Sequence, residues 1–270
     1  TYLESRGGSL VDARGKARWP QLERAEWRLV EATLATAARA ASIPIDDLTI
    51  AGLEAHRRDV LERRQRVMAA DLQSRGVSLG MDAPIEVVEA IGSLESRMVE
   101  CALAMAERAA AIPLPRTLSI AQLLELRSAE LEHVQSKVLA FLDAQDARTD
   151  PDGAPWPQLA ALEARIIGVT LLACKRLAAI PIDALDISSL HELSAQTLAP
   201  GLEAATAYLR GRAALEDPET GGPRRALLAL EGRIGRVAAR IVELEVLQKL
   251  SAVAELARRP IEELSILEVN

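Results

Sequence analysis

Aromatic residues are almost absent from this chain. Tryptophan, tyrosine and phenylalanine make up 2% of its 270 residues, although 49% of the residues are hydrophobic. A core that is rich in alanine and leucine and poor in aromatic residues suits close helix packing better than a β-sandwich or a barrel. The composition therefore predicts an all-α protein.

Side chains that commonly carry catalysis or bind metals are also scarce. The chain has three histidines and two cysteines, which are His56, His133, His191, Cys101 and Cys174. None of the spacings typical of zinc sites, nucleophile elbows, phosphate-binding loops or dinucleotide-binding turns occurs. Two cysteines do not make a disulfide framework. We expect no catalytic residue, no metal site and no cofactor, and so a protein that is not an enzyme.

Positive charge and long apolar runs are lacking too. The formal net charge is −7, from 32 basic and 39 acidic residues, whereas nucleic acid and anionic membrane surfaces favour positively charged partners. The most apolar run, Ile166 to Cys174, is far shorter than the roughly 20 residues of a bilayer span. Thr1 is not followed by a basic and then apolar leader. We expect no nucleic-acid partner and no transmembrane segment, with a cytoplasmic location slightly favoured.

The chain does contain a recurring pattern. A Glu-x-Arg pair recurs at a regular spacing, with its glutamate at positions 26, 95, 163 and 231, and a proline turn follows each of these four pairs. A period of about 68 residues identifies a helical repeat protein. The pairs and their turn prolines are Glu26 and Arg28 with Pro44, Glu95 and Arg97 with Pro113, Glu163 and Arg165 with Pro181, and Glu231 and Arg233 with Pro260.

Each repeat is predicted to be an antiparallel hairpin of two long helices. The proline ends the first helix, and five or six residues later stands a good N-cap residue for the second, namely Thr49, Ser119, Asp186 or Ser265. The second helices should run roughly from Ile50 to Arg75, from Ile120 to Ala144 and from Ile187 to Arg212. Within the last of these, Pro200-Gly201 predicts a kink or a break.

The repeat boundaries follow from this pattern. Residues 1-17 are the tail of a preceding helix plus a linker, and the four hairpins cover 18-76, 77-147, 148-213 and 214-270. In the fourth hairpin the proline stands 29 positions after the glutamate, instead of 18 as in the others. The eleven extra residues are about three helical turns, so a lengthened first helix would keep the same face inward. The second helix of this hairpin is predicted to be truncated.

The sequence also repeats over a longer period. The sequence Trp19-Pro20-Gln21-Leu22 recurs as Trp156-Pro157-Gln158-Leu159, at an offset of 137 positions. Alternate hairpins are therefore more alike than neighbouring ones. This pattern leaves two architectures open, which are a continuous α-solenoid and two tandem four-helix units joined near Leu139 to Trp156.

The candidate contact residues are arginines of the fourth repeat. Arg225, Arg233, Arg236 and Arg240 share one helix face, and Arg258 and Arg259 precede the last turn. On an acidic chain this basic stripe could receive an acidic partner. We expect the Glu-x-Arg pairs to be structural, because residues two apart on a helix point in different directions and reach different neighbours.

The sequence thus predicts a non-enzymatic helical-repeat scaffold that presents an extended surface to protein partners. The alternative is a self-assembling structural subunit, or a rod segment of a larger repeat protein, whose partners are further copies of itself.

Overall fold

A computed structural model describes residues 20–80, 82–256 and 258 of the chain. Within these ranges the chain is helical or forms turns and short connections, with two isolated β-bridges and no strand. The all-α prediction is confirmed. The predicted helix tail at 1-17, the N-cap Ser265, and the residues Arg259 and Pro260 lie outside the described residues.

Seven helices follow one another along the described chain. Four are α-helical throughout: α1 (Pro20–Ala41), α3 (Ile85–Ala110), α5 (Pro157–Ala178) and α7 (Arg225–Leu256). The other three contain a π-helical segment between two α-helical parts. These are α2 (Ile50–Ala55, His56–Glu62, Arg63–Ser74), α4 (Ile120–Glu125, Leu126–Leu131, Glu132–Ala144) and α6 (Ile187–Leu193, Ser194–Leu198, Ala199–Gly211). The predicted bounds of α2, α4 and α6 agree with these to within one residue.

The starts of α2, α4 and α6 are fixed by side-chain caps. At each start the side chain of an extended residue accepts a hydrogen bond from a backbone N–H of the first turn. This satisfies one of the N–H groups that have no partner within the helix. In α4 the Gln122 side chain also accepts from the N–H of Ser119 and completes a capping box. The bonds run from Gly52 to Thr49 (3.1 Å), from Gln122 to Ser119 (3.2 Å) and from Ser189 to Asp186 (2.7 Å). The three N-cap predictions are confirmed.

The same three helices end alike. Gly76, Asp146 and Ala213 have φ values of 72°, 53° and 52°, in the left-handed region that commonly ends a helix. The N–H of the following residue then bonds to the carbonyl five positions earlier, as in a Schellman motif. These bonds join Val77 to Leu72, Ala147 to Leu142 and Ala214 to Leu209.

The π segments keep the leucines of α2, α4 and α6 in register. Each helix buries an apolar residue four positions after its N-cap, another eight positions later, and a further one seven positions after that. A π turn bonds to the carbonyl five residues back instead of four, so it takes up the extra residue and leaves all of them on one face. The buried sets are Leu53, Leu61, Met68 and Leu72; Leu123, Leu131, Val138 and Leu142; and Leu190, Leu198, Ala205 and Leu209.

No break occurs at Pro200-Gly201. The chain stays helical from Ile187 to Gly211, and Pro200 stands in the first turn after the π segment Ser194–Leu198. Proline is tolerated there because the π segment already interrupts the regular hydrogen-bond ladder. Gly201 lets α6 approach α5 closely, since a Cβ at this position would lie 2.7 Å from Cδ1 of Leu177.

By internal contacts the chain divides into two compact units. The first comprises Thr1–Ile112 and Val134–Leu162, and the second comprises Pro113–His133 and Glu163–Asn270. In the first unit α1, α2 and α3 contact one another. In the second, the C-terminal half of α5 forms one apolar core with α6 and α7.

One helix of the described chain, α5, is long and apolar enough to cross a membrane by length and composition. Its most apolar 18 residues have a mean hydropathy of 1.3. The core helix of a soluble protein passes the same test, and Leu162, Ile166 and Val169 of α5 are fully buried.

Candidate functional site: exposed faces of the first and last helices

Arginines of α3 bind the proline turn that follows α1. The Arg97 guanidinium donates to the carbonyl of Ile43, and Arg108 Nη2 donates to the carbonyls of Ile45 (2.9 Å) and Asp46. Carbonyls beyond a helix C-terminus lack helical partners and attract cations. The two arginines therefore attach α3 to the turn between α1 and α2.

The contact made by Arg108 recurs in the next repeat. Arg176 of α5 donates to the carbonyl of Arg116 at 2.8 Å, in the turn that precedes α4. Arg108 and Arg176 both stand thirteen positions after the glutamate of their Glu-x-Arg pair, and so does Arg39 of α1. We did not predict this role from the sequence, although the recurrence of arginine at that position is visible there. Arg39 itself is exposed.

The Glu-x-Arg residues contact different neighbours. Glu95 accepts a hydrogen bond from Gln65 of α2 (2.9 Å) and Glu163 accepts one from Arg212 of α6, whereas Arg97 binds the turn described above. Glu26, Arg28 and Glu231 are exposed, and Arg233 is half-buried. The turn residues Pro44, Pro113 and Pro181 are exposed beyond the ends of α1, α3 and α5.

Arginines of the π segments stack on aromatic rings. Arg57 lies 4.3 Å from the ring centroid of Phe141 and pairs with Glu62. At the equivalent position, Arg127 lies 4.1 Å from the ring of Tyr208. Such stacking adds a cation–π attraction to the packing. Neither pair could be predicted from local sequence patterns, since the partners lie 84 and 81 positions apart.

The Tyr208 cluster is held together by charges. The Tyr208 hydroxyl donates to Glu132, and Arg212 pairs with Glu132 at 3.2 Å and also with Glu163. Burial, followed by the hydrogen bond to Glu132, raises the pKa of Tyr208, so the phenol stays protonated at neutral pH. Because the charged groups bind one another, the cluster ties α4, α5 and α6 together.

The histidines and cysteines are dispersed, and His56, Cys101 and Cys174 are buried whereas His133 and His191 are exposed. His56 is 8% exposed, and desolvation, with a smaller contribution from Arg97, lowers its pKa. Burial raises the pKa of the Cys101 thiol to about 11 and also raises that of Cys174. Among residues 20–80 and 82–256, no three His, Cys, Asp or Glu side chains converge as metal ligands would.

The basic stripe lies along α7 at its surface. Arg225 and Arg236 are exposed, while Arg233 and Arg240 are half-buried and Arg240 pairs with Glu243 at 2.6 Å. Arg258 is also exposed. Whether these arginines bind a partner stays a prediction.

The C-terminal half of α7 exposes a row of large apolar side chains. Ile241 is its last buried residue, and from Val242 to Glu255 only Leu244 is even half-buried. Side chains three or four positions apart share one helix face. The row consists of Val242 (58% exposed), Val246 (50%), Leu250 (60%) and Val253 (61%).

This row continues a face that is buried in the earlier helices. We count positions from the glutamate of each Glu-x-Arg pair and call positions +7 and +11 the trailing face. The trailing face is buried in α3 and α5 and exposed in α7. Its residues are Ala102 and Ala106 in α3, Thr170 and Cys174 in α5, and Ala238 and Val242 in α7.

Helix α1 shows the opposite exposure. We call positions −1, +3 and +6, counted from the same glutamate, the leading face. This face is buried in α3 and α5 and almost entirely buried in α7, but it is exposed in α1. The residues are Leu94, Met98 and Cys101 in α3; Leu162, Ile166 and Val169 in α5; Leu230, Ile234 and Val237 in α7; and Ala25, Leu29 and Ala32 in α1. Within the described chain, the first helix thus lacks a neighbour on one face, and the last lacks a neighbour on the other.

Comparisons with protein-family models, with curated proteins and with solved structures give no match. The site is therefore interpreted from its own geometry.

Proposed function

We propose that this chain is a non-enzymatic helical-repeat scaffold that binds other protein chains through the exposed side of α7. The observation that carries the proposal is the row Val242, Val246, Leu250 and Val253, each at least half exposed. A contiguous apolar row on a surface helix is typical of a protein-interaction site. Burying one such side chain against a partner stabilises a complex by roughly 1.5 to 3 kcal/mol before the costs of association.

The turn contacts favour an α-solenoid over two tandem four-helix units. Arg108 and Arg176 bind the preceding proline turn in the same way. A contact that repeats with the sequence period is what stacked neighbouring hairpins require. Such a stack presents a surface that grows with the number of hairpins.

The charges that border the apolar row are of both signs. Since successive residues turn by about 100° and rise by 1.5 Å, Glu243 borders one edge of the row, and Glu245 and Lys249 border the other edge. All three are exposed, and the exposed Arg225 and Arg236 lie on the turns before Val242. The surface suits an amphipathic helix whose apolar side covers the row and whose acidic residues reach those arginines.

Site-specific cross-linking tests the proposal. A photoreactive amino acid replaces Val246 in the full chain, in the cells from which the chain comes, and Val88 of α3 serves as the control because it is 54% exposed. We expect a discrete protein adduct at position 246 that is absent at position 88. Equal labelling at the two positions, or no adduct at 246, would overturn the proposal.

A further inference from the structure

The trailing face of α7 and the leading face of α1 correspond to two surfaces that are buried together elsewhere in the chain. In the first unit, α3 buries its leading-face residues Leu94, Met98 and Cys101, and it contacts α1 and α2. On α1 the buried residues are Val30, Ala37 and Ala40, and Ala37 belongs to the trailing face. Within each unit, therefore, the trailing face of one first helix and the leading face of the next are largely buried, in α1 and α3 of the first unit and in α5 and α7 of the second.

We infer that a second copy of this chain is the occupant of these faces, with the trailing face of α7 in one copy packed on the leading face of α1 in the next. The inference rests on the proposed function, because it names the protein chain that α7 binds. It is supported by continuity with a contact already present, since the same two kinds of face are buried together within each unit. The exposed Leu29 and Val242 would become buried.

An association of this kind is heterologous, because different surfaces of the two copies meet. Each pair keeps one free α1 face and one free α7 face, so the assembly grows or closes into a ring. A pair built from α7 of both copies would instead be isologous and would stop at two chains. The two arrangements differ in which variants block them.

Sedimentation velocity of the full chain over a concentration series tests the inference. Leu29→Glu places a charge on the α1 face and Val242→Glu places one on the α7 face, while Val88→Glu is a matched control at a similarly exposed valine of α3. We expect the wild type and Val88→Glu to associate alike. Each of the other two variants should associate at a concentration at least about tenfold higher, because the introduced charge would have to be desolvated. Circular dichroism checks that all variants are folded.

Mixing the two blocked variants gives the decisive result. Leu29→Glu keeps an intact α7 face and Val242→Glu keeps an intact α1 face, so an equimolar mixture should form a pair of twice 29.1 kDa and nothing larger. Association of Leu29→Glu alone at the wild-type concentration would overturn the inference in favour of pairing through α7.

Failure of the inference is distinguishable from failure of the proposed function. If the wild type stays monomeric throughout and a different protein is cross-linked at Val246, the inference of a second copy is overturned while the proposed function stands. A monomeric wild type with no adduct at Val246 overturns both.

Discussion

The guanidinium of Arg108 donates to the main-chain carbonyl of Ile45, 63 positions earlier, at 2.9 Å. The bond joins α3 to the turn between α1 and α2, where the chain direction reverses. It relates the sequence period to structure in the second and third repeats, because Arg108 and Arg176 occupy the same position and each reaches the turn of the repeat before it. The equivalent residues are Arg39 in α1, which is exposed, and Leu244 in α7.

Replacing Arg108 with methionine should destabilise the chain. The apolar stem is retained while two carbonyls lose a charged donor, which costs about 1 to 2 kcal/mol in a half-buried setting. Urea denaturation followed by circular dichroism measures the change. Arg39→Met is the matched control, and because Arg39 is exposed its effect should stay within about 0.5 kcal/mol. Equal losses for the two variants would contradict a turn-binding role for Arg108.

Deleting one residue from a π segment should be tolerated. Removal of Arg58, which is exposed within His56–Glu62, would convert the segment to α-helix and leave Leu53 and Leu61 on one face. Removal of Arg66 from the following α-helical part would turn Met68 and Leu72 together by about 100° relative to Leu53 and Leu61, and so away from the core. We expect the second deletion to cost about 2 to 5 kcal/mol, as for loss of a buried aliphatic side chain. Thermal unfolding of both variants makes the comparison, and a larger loss for the first deletion would refute the role given to the π segment.

Exchanging glycine and alanine at the left-handed residues that follow α2 and α6 should change the free energy of unfolding in opposite directions. Ala213 has a φ of 52° and Gly76 has a φ of 72°, a conformation that disfavours any residue with a Cβ by about 1 to 2 kcal/mol. Ala213→Gly should therefore raise the free energy of unfolding, and Gly76→Ala should lower it by a similar amount. Denaturation midpoints measure both, and a loss of stability in Ala213→Gly would count against strain at that position.

Thiol labelling should be slow in the folded chain. Cys101 is fully buried and its pKa is about 11, so at pH 8 about one thiol in a thousand is ionised, against roughly a quarter for an ordinary cysteine of pKa near 8.5. The rate should rise tenfold for each pH increment of one while the fold persists. Reaction with a chromogenic disulfide, in the presence and absence of urea, reports the rate, and Cys101→Ser isolates Cys174. Rapid labelling of the folded protein at pH 8 would show that the thiol is accessible.

Features that depend on residues close together in the sequence could be predicted. Thr49, Ser119 and Asp186 could be recognised as N-caps because capping involves only the next turn of backbone, and the same holds for the ends of α2, α4 and α6. Contacts such as Arg57 with Phe141 join residues far apart in sequence, so local patterns do not contain them. The π segments left a local trace in the eight-residue spacing of Leu53 and Leu61, but a straight helix also places residues eight apart near one face.

The exposed faces could not be predicted for a different reason. Leu29 and Met98 occupy equivalent positions, and one is 50% exposed whereas the other is 1% exposed. The sequence pattern at the two positions is the same, and only the presence of a neighbouring helix separates them. The basic stripe was visible in the sequence, whereas the apolar row beside it emerged only when exposure was known.

Hydrogen exchange along α7 shows whether another protein chain covers this helix beyond Ile241. In the dilute, isolated chain the amides from Leu247 to Glu255 should exchange much faster than those from Leu230 to Ile241. The C-terminal half of the helix has little packing to protect its amides. On addition of the cross-linked partner, or at concentrations where copies associate, the fast amides should become protected. Strong protection of Leu247 to Glu255 in the dilute monomer would contradict the account, since the face would then already be covered within one chain.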